Sequence, residues 1–521
     1  MAMADERDTP LAAPAAPVLT DPALDDALLP ETVPSGIVAA GPVHTPPPDR
    51  RRPRGRGSTR AFRRVTALLI VAAIIATGGA NVPERSGEGW ASPGLVGGGG
   101  WPFAGAPLSP ELAPGAFYLR DSSAVRLADG RVRLIPFGGD TPVTVDASDP
   151  RVAQSLRSDR SWLAQGTVPT GDRPGYHDMA ARALLDLRLL TRPNGASLAS
   201  WYTKWRYCWP RDSAFAVAAF SATGHPSEAR RILRFLARVQ HDDGMWAARY
   251  HPDGTAVADG RAPQLDSVGW VLWATWFHLA TTEPLDEEPP DLWPMVRRAA
   301  DHLAGSLDAE GLPPASSDYW ERDHRKEEDP RRPTLGVVAP VLAGLRSAAD
   351  LARARGEHGK AAEWRKAARQ LSDAVDRQFA PFGYPRSPVR DGLMDTSVTF
   401  LAPPFAPADP AVTAAIADAR RRQTLPNGGV LPGERWSGDP DVAWTPETAM
   451  FGLNSAASGR TYEALGRLDW LNANRTTLGV LPEKVGPKGG QAGPAPLGWT
   501  AALTLLTLTA LDKPLPIPPT N

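Results

Sequence analysis

Residues 226–240, PSEARRILRFLARVQ, set Ile232, Leu233, Leu236 and Val239 three, four and seven positions apart among arginines, which draws one apolar stripe along an α-helix. The same period recurs in both directions along the chain. Helices are predicted near 176–190, 211–222, 226–240, 264–281, 291–307, 335–355, 358–380, 410–420, 445–458, 461–474 and 497–511, with a weaker twelfth around 390–402. Gly, Pro or Asp stands in the breaks between them. Strands do not alternate with these helices, which argues against a Rossmann sheet or a β/α barrel. A dozen helices exceed one four-helix bundle, and no repeat of fixed length supports a solenoid. The expected fold is therefore an all-α toroid of helical hairpins in two concentric layers, with a pocket at the loop ends.

Upstream the pattern changes. Between residues 116 and 147 the short runs AFYLR, AVRLA, RVRLIPF and TPVTV alternate, and Asp129-Gly130 marks a tight turn, so 106–175 is expected to hold a small β element. Residues 1–64 lack periodicity and end in seven arginines between Arg51 and Arg64, the signature of a disordered cytoplasmic tail. The uncharged run VTALLIVAAIIATGGA begins at Val65. Residues 65–82 are expected to form a single-pass signal anchor with the arginines inside, and cleavage after Gly78-Gly79-Ala80 is the alternative. Either places the body outside the membrane. Residues 83–105, with four consecutive glycines, read as a tether; no Lys-Ser/Thr follows them, so they are not a phosphate loop.

Composition narrows the function. Fifty-seven basic and 58 acidic residues leave a net charge of -1, which excludes a general nucleic-acid binder. The single cysteine, Cys208, excludes an intramolecular disulfide and a cysteine zinc site, and reads as an inert buried thiol. Nine histidines show no metal spacing, and no metal or organic cofactor is implied.

Four loops concentrate aromatic, arginine and carboxylate residues: 201–212 (WYTKWRYCWPRD), 318–323 (DYWERD), 433–447 (GERWSGDPDVAWTPE) and 481–499 (LPEKVGPKGGQAGPAPLGW). Aromatic faces stack on sugar rings and Arg-Asp pairs bond vicinal hydroxyls, so the composition suits a carbohydrate. Glycosidic cleavage needs two carboxyl groups, and Glu321 and Glu483 are the candidates. Trp320 is expected to raise the pKa of Glu321, favouring a proton donor. Taken alone, Arg211-Asp212 reads as a helix cap with a surface ion pair, and Asp439, Asp441 and Glu447 as solvated or capping groups.

The order of these loops resembles glycoside hydrolase family 15, the glucoamylases and related α-glucosidases, from about Ala196 to Leu511. The resemblance rests on Arg206-Tyr207-Cys208-Trp209-Pro210-Arg211-Asp212, Gln264-Leu265-Asp266, Trp320-Glu321-Arg322, Leu393-Met394-Asp395-Thr396-Ser397, Leu481-Pro482-Glu483 and Pro496-Leu497-Gly498-Trp499. It implies an (α/α)6 catalytic domain over 176–515 acting on an α-linked glucose oligosaccharide or polysaccharide, with Glu321 as general acid and Glu483 as general base. It further implies inversion at the anomeric carbon, with the two carboxyl groups about 6.5–9.5 Å apart. Substrate contacts are implied for Trp205, Tyr207, Trp209, Arg211, Asp212, Gln264, Asp266, Trp320, Arg435, Trp444 and Trp499. Trp205 stands where the family usually has the tyrosine that positions the catalytic water, and Lys484, next to Glu483, replaces a common Gln. Bacterial members carry a full N-terminal β-sandwich, for which only about 70 residues remain here. A trehalase of the same family, or a catalytically weak α-glucan receptor at the membrane, is the alternative.

Overall fold

The computed structural model describes residues 115–136, 142–171, 173–200, 205–282, 292–327 and 329–520, so the expected tail, anchor and tether lie outside the described residues. The described chain begins with an antiparallel meander of β1 (Phe117–Tyr118), β2 (Val125–Arg126), β3 (Val132–Leu134) and β4 (Val143–Val145), in that order. Asp129 and Gly130 form the β2–β3 turn as expected: Asp129 Oδ1 accepts from Arg131 N at 2.9 Å, and Gly130 takes a left-handed φ of 86°.

Helix α1 (Pro150–Leu163) follows, inside the region read from sequence as β-rich. Its pattern hides it, because Val152, Trp162 and Leu163 are the only apolar side chains it buries among 14 residues. Its start is nonetheless written locally, since Asp149 caps Arg151 N and Pro150 needs no hydrogen-bond acceptor in the first turn.

Eleven further helices follow, their ends within three residues of the predicted ones. They are α2 (Tyr176–Leu190), α3 (Pro210–Ala222), α4 (Pro226–Val239), α5 (Leu265–Thr282), α6 (Trp293–Gly305), α7 (Leu335–Ala354), α8 (His358–Gln378), α9 (Pro410–Gln423), α10 (Thr445–Ala457), α11 (Thr461–Ala473) and α12 (Gly498–Asp512). The weak twelfth segment is a 3₁₀ helix at Thr396–Leu401.

Burial sorts these elements into two layers. α4 buries one stripe, Ile232, Leu233, Phe235 and Leu236 with Glu228 and Ala229, whereas α5 buries every residue from Leu265 to Leu279. α3, α5, α7, the 3₁₀ segment, α10 and α12 each pack on the next, and α12 returns to α3, closing an inner ring. α2, α4, α6, α8, α9 and α11 lie outside it. α7 has the length and hydropathy of a membrane span, but its 94% burial makes it a core helix. Because the chain alternates between layers, the inner helices all start at one end of the ring.

The small β element has a job at that end. Ala116, Val125 and Leu127 pack against Leu478, Val480 and Ala495, bracing the long loop between α11 and α12. Within that loop β6 (Lys484–Val485) pairs with β5 (Ala443–Trp444) and with β7 (Gln491–Ala492). The loop's position is thereby tied to the start of α10.

Candidate active site

Where the inner helices begin, a cleft of about 860 Å3, open mouth included, collects residues from distant parts of the chain. Trp209 ends in extended backbone and Pro210 opens α3, so Arg211 and Asp212 fall in the first turn facing inward. Both line the cleft and are mostly buried, not the surface pair that the local sequence suggests. The Arg211 guanidinium donates to Asp266 Oδ2 at 2.9 Å, to Gln264 Oε1 at 3.2 Å and to Glu321 Oε1 at 2.7 Å. Burial pushes Asp212 up to about 6 and Asp266 up to about 7, against the pull of Arg211.

Glu321 lines the cleft from a backbone position with a left-handed φ of 56°, its N–H donating to Asp318 O at 2.8 Å. Its carboxylate accepts from Arg211, from Arg261 and from Gln264 Nε2 at 3.0 Å. Burial pushes this carboxyl up, yet the two guanidinium groups and the Gln264 amide outweigh burial and hold it below the usual range. The expectation that Trp320 would raise it is thus overturned, because an apolar neighbour cannot compete with two contacting cations. Trp320 itself is sandwiched, with the Arg386 guanidinium carbon 3.8 Å from its ring centroid and Trp436 edge-on at 5.3 Å.

Glu483 lines the same cleft. Thr445 N donates to Glu483 O at 2.9 Å and Glu483 N to Pro494 O at 3.0 Å, so its backbone is held from both sides. Glu483 Oε1 accepts from the Trp205 indole N–H at 3.0 Å, and Lys484 Nζ lies 3.2 Å from Oε2. Gly493 at φ 73° leaves room for this carboxylate, since a Cβ there would stand 2.5 Å from Oε2.

Of the remaining residues expected to touch a ligand, Trp209, Trp320, Trp444 and Trp499 line the cleft with Trp205. Four do not. Tyr207 packs beside Trp209 under the Arg249 guanidinium, and Gln264 and Asp266 sit one layer back as partners of Arg211. Arg435 turns away to donate to Asp391 O at 3.1 Å, and Trp436, one residue on, takes a place in the wall. Sequence reasoning also missed Arg249, Arg261, Tyr319 and Glu447, all of which line the cleft. Glu447 was read as solvated or capping, but it is 5% exposed in the first turn of α10. Asp439 does accept locally, from Asp441 N at 2.8 Å. Cys208 is buried as expected, and burial pushes its thiol up.

Seven buried polar atoms of cleft residues have no hydrogen-bond partner: the indole nitrogens of Trp209, Trp320, Trp436 and Trp499, Nε of Arg211 and Arg249, and Oε2 of Glu447. Such atoms are costly unless a ligand satisfies them. Aromatic walls with this density of donors and an unpaired acceptor match a polyhydroxylated ring.

A family model described as glycosyl hydrolases family 15 matches residues 236–402, which include Glu321 but stop short of Glu483. An uncharacterized glycosyl hydrolase of Methanocaldococcus jannaschii is 27% identical over 241 residues, 44% of this chain and 36% of that protein. The match therefore spans about a third of that relative's length. The isomaltose glucohydrolase of Kribbella flavida is 28% identical over 311 residues, 54% of this chain and 74% of the relative. Among solved structures, a bacterial glucoamylase complexed with acarbose superposes with a TM-score of 0.54 at 16% identity, covering 72% of this chain and 64% of that one, a likeness of fold.

Proposed function

We propose that the chain is a glycosyl hydrolase of family 15, a reading supported by the family model over residues 236–402 and by both relatives, and that it acts as an inverting, exo-acting α-glucoside hydrolase releasing β-glucose from non-reducing ends. The observation that carries this reading is one cleft holding two carboxyl groups in different electrostatic settings, walled by tryptophan and rich in unpaired donors. In the reaction Glu483 takes a proton from water as the water oxygen attacks the anomeric carbon. The glycosidic C–O bond breaks with its electron pair leaving on the oxygen, which Glu321 protonates. Attack from the face opposite the leaving group inverts the anomer. Exchange with solvent then returns Glu483 to carboxylate and Glu321 to acid. On the sequence of residues 65–82 this chemistry takes place outside the membrane.

Proton NMR of the protein with maltose, isomaltose and trehalose tests the reading directly. β-Glucose is expected to appear before mutarotation, and the productive sugar separates a glucoamylase-like enzyme from a trehalase. Appearance of α-glucose first would overturn inversion. The resting ionisation of Glu321 favours a second reading, a tethered α-glucan receptor, which predicts retention on amylose with no glucose released over a day.

Trp205 bears on the water. A tyrosine hydroxyl can both donate and accept, whereas the indole only donates, and here it is committed to Glu483 Oε1. Oε2, which faces Lys484 Nζ at 3.2 Å, is the oxygen that the indole leaves to receive the water proton. Trp205→Phe removes a hydrogen bond to a charged group and is expected to lower kcat by about ten- to a hundredfold with little change in KM. An unchanged kcat would show that the indole does not orient the base.

A further inference from the structure

We infer that Glu447 is a specificity residue of this cleft, binding hydroxyl groups of the sugar ring seated against Glu483 as an uncharged carboxylic acid. The inference rests on the reading of the cleft as a glucoside site and adds to it a residue that neither donates nor accepts the catalytic proton.

Geometry comes first. Thr445 opens α10 and donates its N–H to Glu483 O, and Trp444 is paired with Lys484 across β5 and β6. Glu447, two residues into the helix, is thus locked to the strand that carries the proposed base. It lines the cleft, is 95% withdrawn from solvent, and its Oε2 has no partner. The start of a helix ordinarily favours the charged form of an acid. Burial nevertheless pushes Glu447 up to about 8, opposed first by the hydrogen bond from its own backbone amide and then by Lys484, and helped by the negative charges of Glu483 and Asp395.

The charged groups that face it from other elements explain why. Glu483, just before β6, and Lys484 on β6 satisfy each other at 3.2 Å. Asp395, at the start of the 3₁₀ segment, is consumed by Arg386 at 2.7 Å and by the Tyr319 hydroxyl at 2.9 Å. Arg211 is taken up by Asp266 and Glu321. No cation among these is left to Glu447, so near pH 7 it carries its proton. A neutral carboxyl offers one O–H donor and one carbonyl acceptor, a match for adjacent hydroxyls of an uncharged hexose. Once ionised it would place a second negative charge beside Glu483 and offer acceptors alone.

The test reads binding, not turnover. Intrinsic tryptophan fluorescence of the full-length protein is titrated with D-glucose between pH 6 and 9.5 for the wild type, Glu447→Gln and Glu447→Leu. If only the protonated form binds, the apparent affinity of the wild type falls about thirtyfold from pH 7 to pH 9.5. Glu447→Gln keeps a donor and an acceptor that do not titrate, so its affinity is expected to stay within about twofold over that range. Glu447→Leu is expected to bind about tenfold more weakly at every pH. A Gln protein that follows the wild-type pH dependence overturns the inference, as does a wild type that binds no glucose at any pH. If the Leu protein fails to fold, the Gln comparison decides alone. Failure of the hydrolase reading is separate: wild-type protein that hydrolyses none of the glucosides yet shows the predicted pH-dependent binding rejects turnover and keeps Glu447.

Discussion

Glu321→Gln is expected to lower kcat on the productive glucoside by about 10²- to 10⁴-fold while leaving the affinity for glucose within a few-fold, because the amide keeps the shape and hydrogen bonds but cannot donate the proton. Steady-state kinetics check it, and undiminished hydrolysis would remove Glu321 from the acid role. The pH profile follows from the geometry. In the free protein Arg211 and Arg261 hold Glu321 below the usual carboxylate range, so the fraction carrying the proton falls as pH rises through that low value. The alkaline limb of kcat/KM, which reports the free enzyme, should therefore lie on the acid side of neutrality. Arg261 is the removable part of this arrangement. Its side chain is 17% exposed at the cleft and also faces Asp259, whereas Arg211 is 3% exposed and anchored on Asp266. Arg261→Met should move that limb to higher pH, since one of the two cations opposing protonation is gone. A limb that stays in place would mean that Arg261 does not control the acid.

Arg386→Met is expected to cost about 3–5 kcal/mol of stability at neutral pH, the range seen when one partner of a buried ionic cluster is removed. The Arg386 guanidinium donates to Asp318 Oδ1 at 3.1 Å, Asp395 Oδ2 at 2.7 Å and Glu327 Oε1 at 2.7 Å, with its own side chain 4% exposed. Methionine preserves much of the volume against Trp320 but leaves three carboxylates facing one another. Those groups would take up protons in the folded variant at a higher pH than when unfolded. The penalty should therefore be smallest near pH 2.5, below the unfolded carboxyl pKa values of about 4, where they are protonated in both states, and reach its full size towards pH 7. Urea unfolding at the two pH values measures the difference, and a cost under about 1 kcal/mol at pH 7 would show that the cluster relaxes or admits water. Since Asp318 N-terminally brackets Trp320 and Glu321, the same substitution should also displace the proposed acid.

The legibility of the protein from its sequence differed by level. α4 could be read because its one buried face imposes a 3.6-residue period locally, and even the weak segment near 390–402 corresponds to an inner-ring element. α1 was missed because its buried side chains are too sparse to show a period. Among the site residues, Trp209, Trp320 and Trp499 could be singled out because aromatic residues beside helix starts are unusual and matched a family pattern. Arg435 and Trp436 were confused because a loop has no period to tell which neighbour faces inward.

What the sequence determined alone was the succession of helices, their ends at Pro, Asp and Gly, and the order of loops that carries the family resemblance, all of which depend on neighbours within a few residues. Tertiary structure alone decided the charge states. Glu321 meets Arg261 from a loop 60 residues earlier, and Glu447 is buried with no partner for Oε2 because β5 and β6 fold it under Glu483. A carboxyl group's proton depends on burial and on the charges within a few ångströms, and those are set by which distant segments the closed ring brings together.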